Sequence, residues 1–504
     1  MPQTYVKKIL DARVYDLALE TPVDKAPILS QRLGNQVLLK REDLQPVFSF
    51  KLRGAYNKLR QLSASQLAAG VIAASAGNHA QGLALAAQKM GVKATIVMPK
   101  TTPLIKVDAV RGWGAKVVLH GDNYDTAAAH ANVLIAEEGL TYIHPFDDPD
   151  IIAGQGTVGM EILRQLPGDL DAIFVAVGGG GLCAGVAAYV KYVRPGVKII
   201  AVESDDAACL DAAMKAGEPV RLKEVGIFAD GTAVAQIGTE TFRILKDLVD
   251  EVITVSTDEI CAAIKDVYND SRAICEPSGA MGVAGLKKYV EQHAVVGQTL
   301  LAVQCGANID FDRLRYISER TEIGEKREAI LAVALDEKPG SFKTFCQALG
   351  RRTISEFNYR YSDASQAQIF VGVKISSEDD RDQLVAELTQ DGYQVADMTD
   401  SEVAKSHIRH MVGGRSPQVG EEQVFRFEFP ERPGALFDFL VQLGNDLNIS
   451  MFHYRNHGSA FGKVLVGFQA SKKDGQEVKG FLDKLGYRFE DETDNQAYRF
   501  FLGS

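Results

Sequence analysis

From about residue 35 to residue 310, short and almost wholly apolar runs alternate with longer stretches of helical pattern. VIAAS (71–75), ATIVMP (94–99), AKVVLHG (115–121), AIFVAV (172–177), KIIAVES (198–204) and TLLAVQCGAN (299–308) each read as a buried strand. GNHAQGLALAAQKMG, TTPLIKVDAVRGWG and NYDTAAAHANVLIAEEG follow the first three as helices, and an alanine-rich helix follows the fourth. Apolar strands alternating with helices predict a largely parallel sheet covered on both faces. Ligands of such sheets sit beyond the carboxyl ends of the strands. Three of those ends carry loops with chemical content: SAGNH, GGGGL and CGAN.

The remainder has another pattern. RYISERTEIGEKRE (315–328) is polar and helical and reads as a connector. Beyond it the chain repeats itself. EKPGSFKTF (337–345) returns as ERPGALFDF (431–439), TISEFNYR (353–360) as NISMFHYR (448–455), and QIFVGVKIS (368–376) as KVLVGFQAS (463–471). The offset is 94 residues for the first pair and 95 for the other two, so one insertion accounts for all three. Each unit reads strand, Pro-Gly turn, amphipathic helix, strand, turn, strand, helix: a small α+β unit present twice.

Composition narrows the function. The 504 residues allow two to four domains, and 46% hydrophobic with 24% charged residues is ordinary for a globular chain. The net charge of −11 argues against nucleic acid as a partner. No apolar run is long enough for a membrane span, and the N-terminus lacks the apolar core of a signal peptide. Six scattered cysteines without CxxC pairs fit reduced thiols in a cytoplasm and give no zinc signature. The nine histidines have no metal-ligand spacing, so no metal site is expected.

Four consecutive glycines, Gly178 to Gly181, join a strand to a helix. Glycine lets the backbone approach a ligand, and the helix start offers unpaired N–H groups and partial positive charge. This is a phosphate cradle, although a tight structural turn would use glycine too. Gly179, Gly181 and Ala184 also fit GxGxxA, with Glu203 at the end of the next strand, so an NAD-dependent oxidoreductase is the rival reading. A nucleotide triphosphatase fits less well, because Val186 stands where the P-loop lysine belongs.

In SAGNH, Ser75 to Asn78 bridge a strand and a helix. Serine there is often only a helix cap, but a small-residue loop with open N–H groups also suits a carboxylate. His79 reads as structural. In VFSFKLRGAY (47–56), Lys51 follows Val47, Phe48 and Phe50 where a loop becomes a helix. Such a lysine either lays its stem along the surface or is a desolvated amine able to form a Schiff base.

These pieces together resemble the threonine/serine dehydratases of the pyridoxal-phosphate-dependent fold type II superfamily, over roughly residues 10 to 320. The repeated tail resembles the paired ACT-like regulatory units of biosynthetic members of that family. The resemblance implies an α/β fold: a two-lobed, tryptophan synthase β-like catalytic domain (1–320, the smaller lobe at 45–150), a linker (321–328) and two ferredoxin-like units (329–400 and 420–500). It implies pyridoxal 5′-phosphate as cofactor and Lys51 as its Schiff-base lysine. Gly178, Gly179, Gly180, Gly181 and Leu182 would hold the phosphate. Asn78 would meet the ring hydroxyl, Phe50 would flank the ring, and Cys305 would face the ring nitrogen. Ser75, Ala76, Gly77 and Asn78 would take the substrate carboxylate.

The implied reaction is deamination of L-threonine, with L-serine as second candidate, to the 2-oxo acid and ammonia in isoleucine biosynthesis. The implied effector is isoleucine, with valine as second candidate, acting on a homo-oligomer expected to be a tetramer. Tyr359 and Tyr454, equivalent in the repeat, are the candidate effector contacts. Two departures count. Ala76 stands where racemases of this fold carry a second serine, which argues against racemisation. Glu203 and Ala207 fit a cation site seen in relatives, but its last position is Cys209, so no metal is assigned. A serine dehydratase, a threonine or cysteine synthase relative, and a non-catalytic amino-acid sensor remain open on the residues alone.

Overall fold

The computed structural model describes residues 2–504 except 351, 362–365, 407, 412, 413, 415, 417, 418, 420, 431–434, 444–447, 456–460, 471–477, 479, 481, 484–486, 496, 497, 500, 501, 503 and 504. It divides into two compact units, Met1–Thr321 and Glu322–Ser504.

The first unit holds ten strands: β1 (Val23–Lys25), β2 (Gln36–Arg41), β3 (Val71–Ala74), β4 (Ala94–Met98), β5 (Lys116–Leu119), β6 (Thr141–Tyr142), β7 (Ala172–Ala176), β8 (Lys198–Ser204), β9 (Glu251–Val255) and β10 (Thr299–Gln304). They form a six-stranded sheet in the order β1-β2-β10-β7-β8-β9 and a four-stranded sheet in the order β5-β4-β3-β6. Only β1 runs antiparallel, against β2. All six strands expected from apolar pattern are present. β1, β2, β6 and β9 were not legible. The first and third of these are two or three residues long, and β2 buries the charged Lys40 and Arg41, which broke the pattern.

Helix Lys51–Gln61 buries Leu52, Ala55, Tyr56 and Leu59, the stripe expected of 3.6-residue spacing. Glycines let its neighbours come close. A Cβ on Gly54 would stand 2.5 Å from the Gln155 amide, one on Gly154 would stand 2.6 Å from Gly54 Cα, and one on Gly82 would stand 2.8 Å from the Leu52 nitrogen. Helices Asn78–Met90 and Pro149–Gln165 therefore clamp the turn that begins with Lys51.

The second unit holds β11 (Glu328–Asp336), β12 (Ile354–Arg360), β13 (Gln366–Lys374), β14 (Gln394–Asp397), β15 (Glu422–Pro430), β16 (Ile449–Arg455), β17 (Phe461–Gln469) and β18 (Arg488–Asp491). They form one sheet in the order β14-β11-β13-β12-β16-β17-β15-β18. That order mirrors the repeat, whose halves join where β12 pairs antiparallel with β16. Arg360 of one half pairs with the buried Glu422 of the other, and Ser450 and Tyr498 donate to the same carboxylate. Each repeat has a fourth strand that the pattern missed, because β14 and β18 are short, largely exposed edge strands. The second Pro-Gly turn, at 431–434, lies outside the described residues. The expected connector is helical over Arg313–Gly324, and β11 begins at Glu328. Among the described residues, no helix is long and apolar enough to cross a membrane.

Candidate active site

Lys51 opens its helix at the end of a strained loop. Phe48 has φ of 55°, a left-handed conformation unusual for a bulky residue. The loop is sewn to the end of β10: the Ala307 N–H donates to the Phe48 carbonyl at 2.9 Å, the Phe50 N–H donates to the Cys305 carbonyl at 3.4 Å, and Ser49 bridges to Gly306. SFKLRG and CGAN, some 250 residues apart, are thereby one piece of backbone.

The Lys51 side chain is half-buried, yet its amine is closely packed. The amine donates to the Pro145 carbonyl at 3.1 Å and lies 5.3 Å from the centre of the Phe50 ring. Burial lowers its pKa from 10.5 to about 8, against the opposing pull of Cys305 and Glu276. Of the two readings of this lysine, the desolvated amine is the one found.

Asn78, the first residue of helix Asn78–Met90, is buried with its amide nitrogen on Glu276 at 2.5 Å and its amide oxygen on Asn308 at 2.6 Å. Burial and Asp230 push the Glu276 carboxyl up to about 7. Ser75 does not cap the helix: Gly77 is its N-cap and gives no side-chain bond. A Cβ on Gly77 would meet nothing within 4 Å, so the turn is open there; the Ser75 N–H donates to the Val97 carbonyl and the Gly77 N–H to Ser75 Oγ, and no side chain caps the helix that follows. His79 is structural: its Nε2 lies 3.0 Å from the Ile143 carbonyl, and burial lowers its pKa to about 3.

The glycine run lies beyond β7. Gly180 has φ of 88° and no side chain caps helix Gly181–Val193. A side chain anywhere in the run would crowd a neighbour. A Cβ would stand 2.8 Å from the Thr232 backbone at Gly178, 2.1 Å from the Phe146 ring at Gly179, 2.9 Å from Ile237 and Leu245 at Gly180, and 3.0 Å from the Phe146 carbonyl at Gly181. Leu182 is buried behind them. The Cys305 thiol donates to the Ser278 carbonyl at 3.2 Å, and burial raises its pKa far enough to keep it neutral.

The loop His144–Asp148 was missed from the sequence. Pro145 receives the Lys51 amine, Phe146 lies on the glycine run, and Asp147 accepts the Thr239, Glu240 and Thr241 N–H groups that open helix Thr239–Leu248. Nothing in its composition marks it beyond a turn-rich HPFDDPD.

Glu203 answers the rival reading. Its two carboxylate oxygens accept the Leu210 and Asp211 N–H groups at 2.7 and 2.8 Å, at the start of helix Cys209–Ala216. A dinucleotide needs that acid for its ribose. Among the described residues, no group of three or more His, Cys, Asp or Glu is placed to hold a metal.

A family model described as pyridoxal-phosphate dependent enzyme matches residues 14–306. The chain belongs to that family. A second model, the C-terminal regulatory domain of threonine dehydratase, matches twice, at 319–408 and 413–502. The chain is 56% identical to the L-threonine dehydratase biosynthetic IlvA of Burkholderia multivorans over 99% of both chains. It is 52% identical to the Escherichia coli protein of that name, over 99% of this chain and 97% of the other. Among solved structures, the processed form of threonine deaminase isoform 2 from Solanum lycopersicum matches with a TM-score of 0.62 and 50% identity, covering 63% of this chain and 93% of that one.

The cofactor of the family is pyridoxal phosphate, and the residues present fit it. A glycine cradle in which any Cβ would crowd a neighbour meets an uncapped helix start, and a desolvated amine stands nearby. Replacing Gly179 by alanine is expected to weaken binding of pyridoxal phosphate roughly ten-fold or more, since the methyl must displace the Phe146 ring. Absorbance titration of the apoprotein reads this; unaltered affinity would remove Gly179 from the cradle.

Proposed function

We propose that this protein removes the hydroxyl and amino groups of L-threonine to give 2-oxobutanoate and ammonia, in the first committed step of isoleucine formation, under feedback control by isoleucine. The observation that carries this is the packed Lys51 amine beside a glycine run that any side chain would crowd.

Bound pyridoxal phosphate supplies an electron sink for the α-carbon of the substrate. In this reading, Gly178 to Leu182 hold the phosphate through backbone N–H groups. Asn78 meets the ring hydroxyl and Phe50 flanks the ring. The N–H groups of the Ser75 to Asn78 turn take the threonine carboxylate. Lys51, with its pKa lowered to about 8, removes the α-proton. The β-hydroxyl then leaves as water, taking the proton that the Lys51 amine has just accepted, and the released enamine is hydrolysed to the 2-oxo acid and ammonia. Cys305, neutral by burial, offers the ring nitrogen no charge. Prompt loss of the β-hydroxyl is thus the favoured outcome. Ala76 leaves the opposite face without a base, which supports elimination over racemisation. A product assay with threonine and serine side by side tests the substrate: faster turnover of serine would reject the threonine reading.

The second unit is proposed to bind the effector. Tyr359 and Tyr454 are both buried, on neighbouring strands, each opposite a phenylalanine of the other repeat. Burial raises the Tyr359 hydroxyl pKa, and it donates to Glu337, which lines a small pocket with Pro339, Phe342, Leu440 and Ile449. This supports Tyr359 as the contact nearer an effector; Tyr454 has the same place in the other repeat. Valine, one methylene smaller, is the natural competitor of isoleucine. A homotetramer working in the cytoplasm completes the proposal, and six buried free cysteines support that compartment.

Ending the chain after residue 325 is expected to leave threonine turnover within about three-fold and to abolish inhibition by isoleucine. Inhibition that persisted in the shortened chain would move the effector site into the first unit.

A further inference from the structure

Asn78 is held at both ends of its side-chain amide. Its nitrogen donates to Glu276 Oε1 at 2.5 Å, and its oxygen accepts from Asn308 Nδ2 at 2.6 Å. Asn308 Nδ2 also donates to the Val47 carbonyl at 2.8 Å. An amide has the same outline either way round, so its partners decide its orientation. A backbone carbonyl only accepts, so Asn308 Nδ2 faces Val47, and the same nitrogen donates to the Asn78 oxygen. The Asn78 oxygen is thereby turned to Asn308 and its nitrogen to Glu276, and the polarity runs one way along the row from the Val47 carbonyl.

The row is tightly built. Glu276 and Asn78 are both buried. A Cβ on Gly306 would stand 2.1 Å from Glu276 Oε1 and 3.3 Å from Asn78 Nδ2, so the glycine of CGAN makes room for the contact. The Glu276 N–H donates to the Gly306 carbonyl at 3.2 Å. Glu276 is also the N-cap residue of helix Pro277–His293, yet its side chain makes no capping bond. A buried acid that does not cap its own helix is spent elsewhere, and its side-chain hydrogen bond is with Asn78.

We propose that Glu276 and Asn308 are positioning residues for the cofactor. Together they lock the Asn78 amide in one orientation, so that its nitrogen, with a second hydrogen to give, is what the ring hydroxyl meets. This rests on the reading above that Asn78 meets that hydroxyl. A donor at that place favours the ionised ring oxygen. The row therefore sets the absorption of the bound cofactor as well as its affinity.

The test uses the full-length apoprotein titrated with pyridoxal phosphate, reading the visible band and the dissociation constant. Glu276→Gln keeps an acceptor for Asn78 and is expected to leave the band in place and affinity within about three-fold. Glu276→Met keeps the volume without an acceptor, and Asn308→Leu removes the donor. Each is expected to shift the band and weaken binding about ten-fold or more. A Glu276→Met protein that matched the parent in both readouts would overturn the proposal, because packing alone would then suffice. If Glu276→Met does not fold, an Asn308→Leu protein with parental band and affinity overturns it equally. Asn78→Leu separates the two levels. No effect there rejects the reading of Asn78 itself, whereas an effect there with none at 276 and 308 rejects only the positioning.

Discussion

A Lys51→Ala protein is expected to lose threonine turnover by at least about 10⁴-fold, at the upper end of what a positioned general base contributes. It should also lose the visible band that appears when pyridoxal phosphate is added to the parent. The reason is local. One amine is packed against Phe50 and the Pro145 carbonyl, and no other lysine is placed in this loop. The substitution removes methylenes and one hydrogen bond but leaves the helix start intact, because its neighbours are set by Gly54, Gly82 and Gly154. Unchanged melting temperature with lost turnover is the expected pair. Turnover within ten-fold of the parent would mean that another group takes the proton.

Two residues later the expected effect is on stability. Arg53 is fully buried and donates to Glu42 Oε2 at 2.8 Å through Nε and to Glu161 Oε1 at 2.6 Å through Nη1. Lys40 joins Glu161 at 2.6 Å, and all four side chains are out of water. Replacing Arg53 by alanine leaves two buried carboxylates facing one cation. The cost should be about 3–5 kcal/mol. Arg53→Lys should recover little of it, because an ammonium cannot reproduce the two-sided fork.

The pH dependence has a definite sign. Burial opposes ionisation of Glu42, but Arg53 and Lys40 outweigh it and hold the carboxyl below its ordinary 4.5. The stabilisation is therefore complete above that value and is lost as pH falls through the lower, folded-state value. Denaturant titration of parent and variant at pH 7 and at acid pH measures both effects. A loss under about 1 kcal/mol at pH 7 would show that the network is dispensable.

This network explains part of what the sequence concealed. Lys40 and Arg41 hid β2 from the apolar pattern, because a charge is legible as buried only when its partner is known, and Glu161 lies 121 residues beyond Lys40. Glu276 was missed for the same reason: its partner Asn78 is 198 residues away, and EPSGA looks like any helix start. Lys51, the glycine run and the SAGNH loop were legible because their chemistry is local. A lysine among aromatics, four glycines in a row and a small-residue turn each break an otherwise ordinary pattern. The paired tail was legible because duplication repeats its errors with its rules. The edge strands β14 and β18 were not, since half-exposed edges carry little alternation.

The measurement nearest the centre of the account is borohydride reduction of the full-length protein loaded with pyridoxal phosphate, followed by peptide mass spectrometry. The account predicts one stable adduct, on Lys51 in the peptide that contains SFKLRG. An adduct on a different lysine, or none, would contradict it.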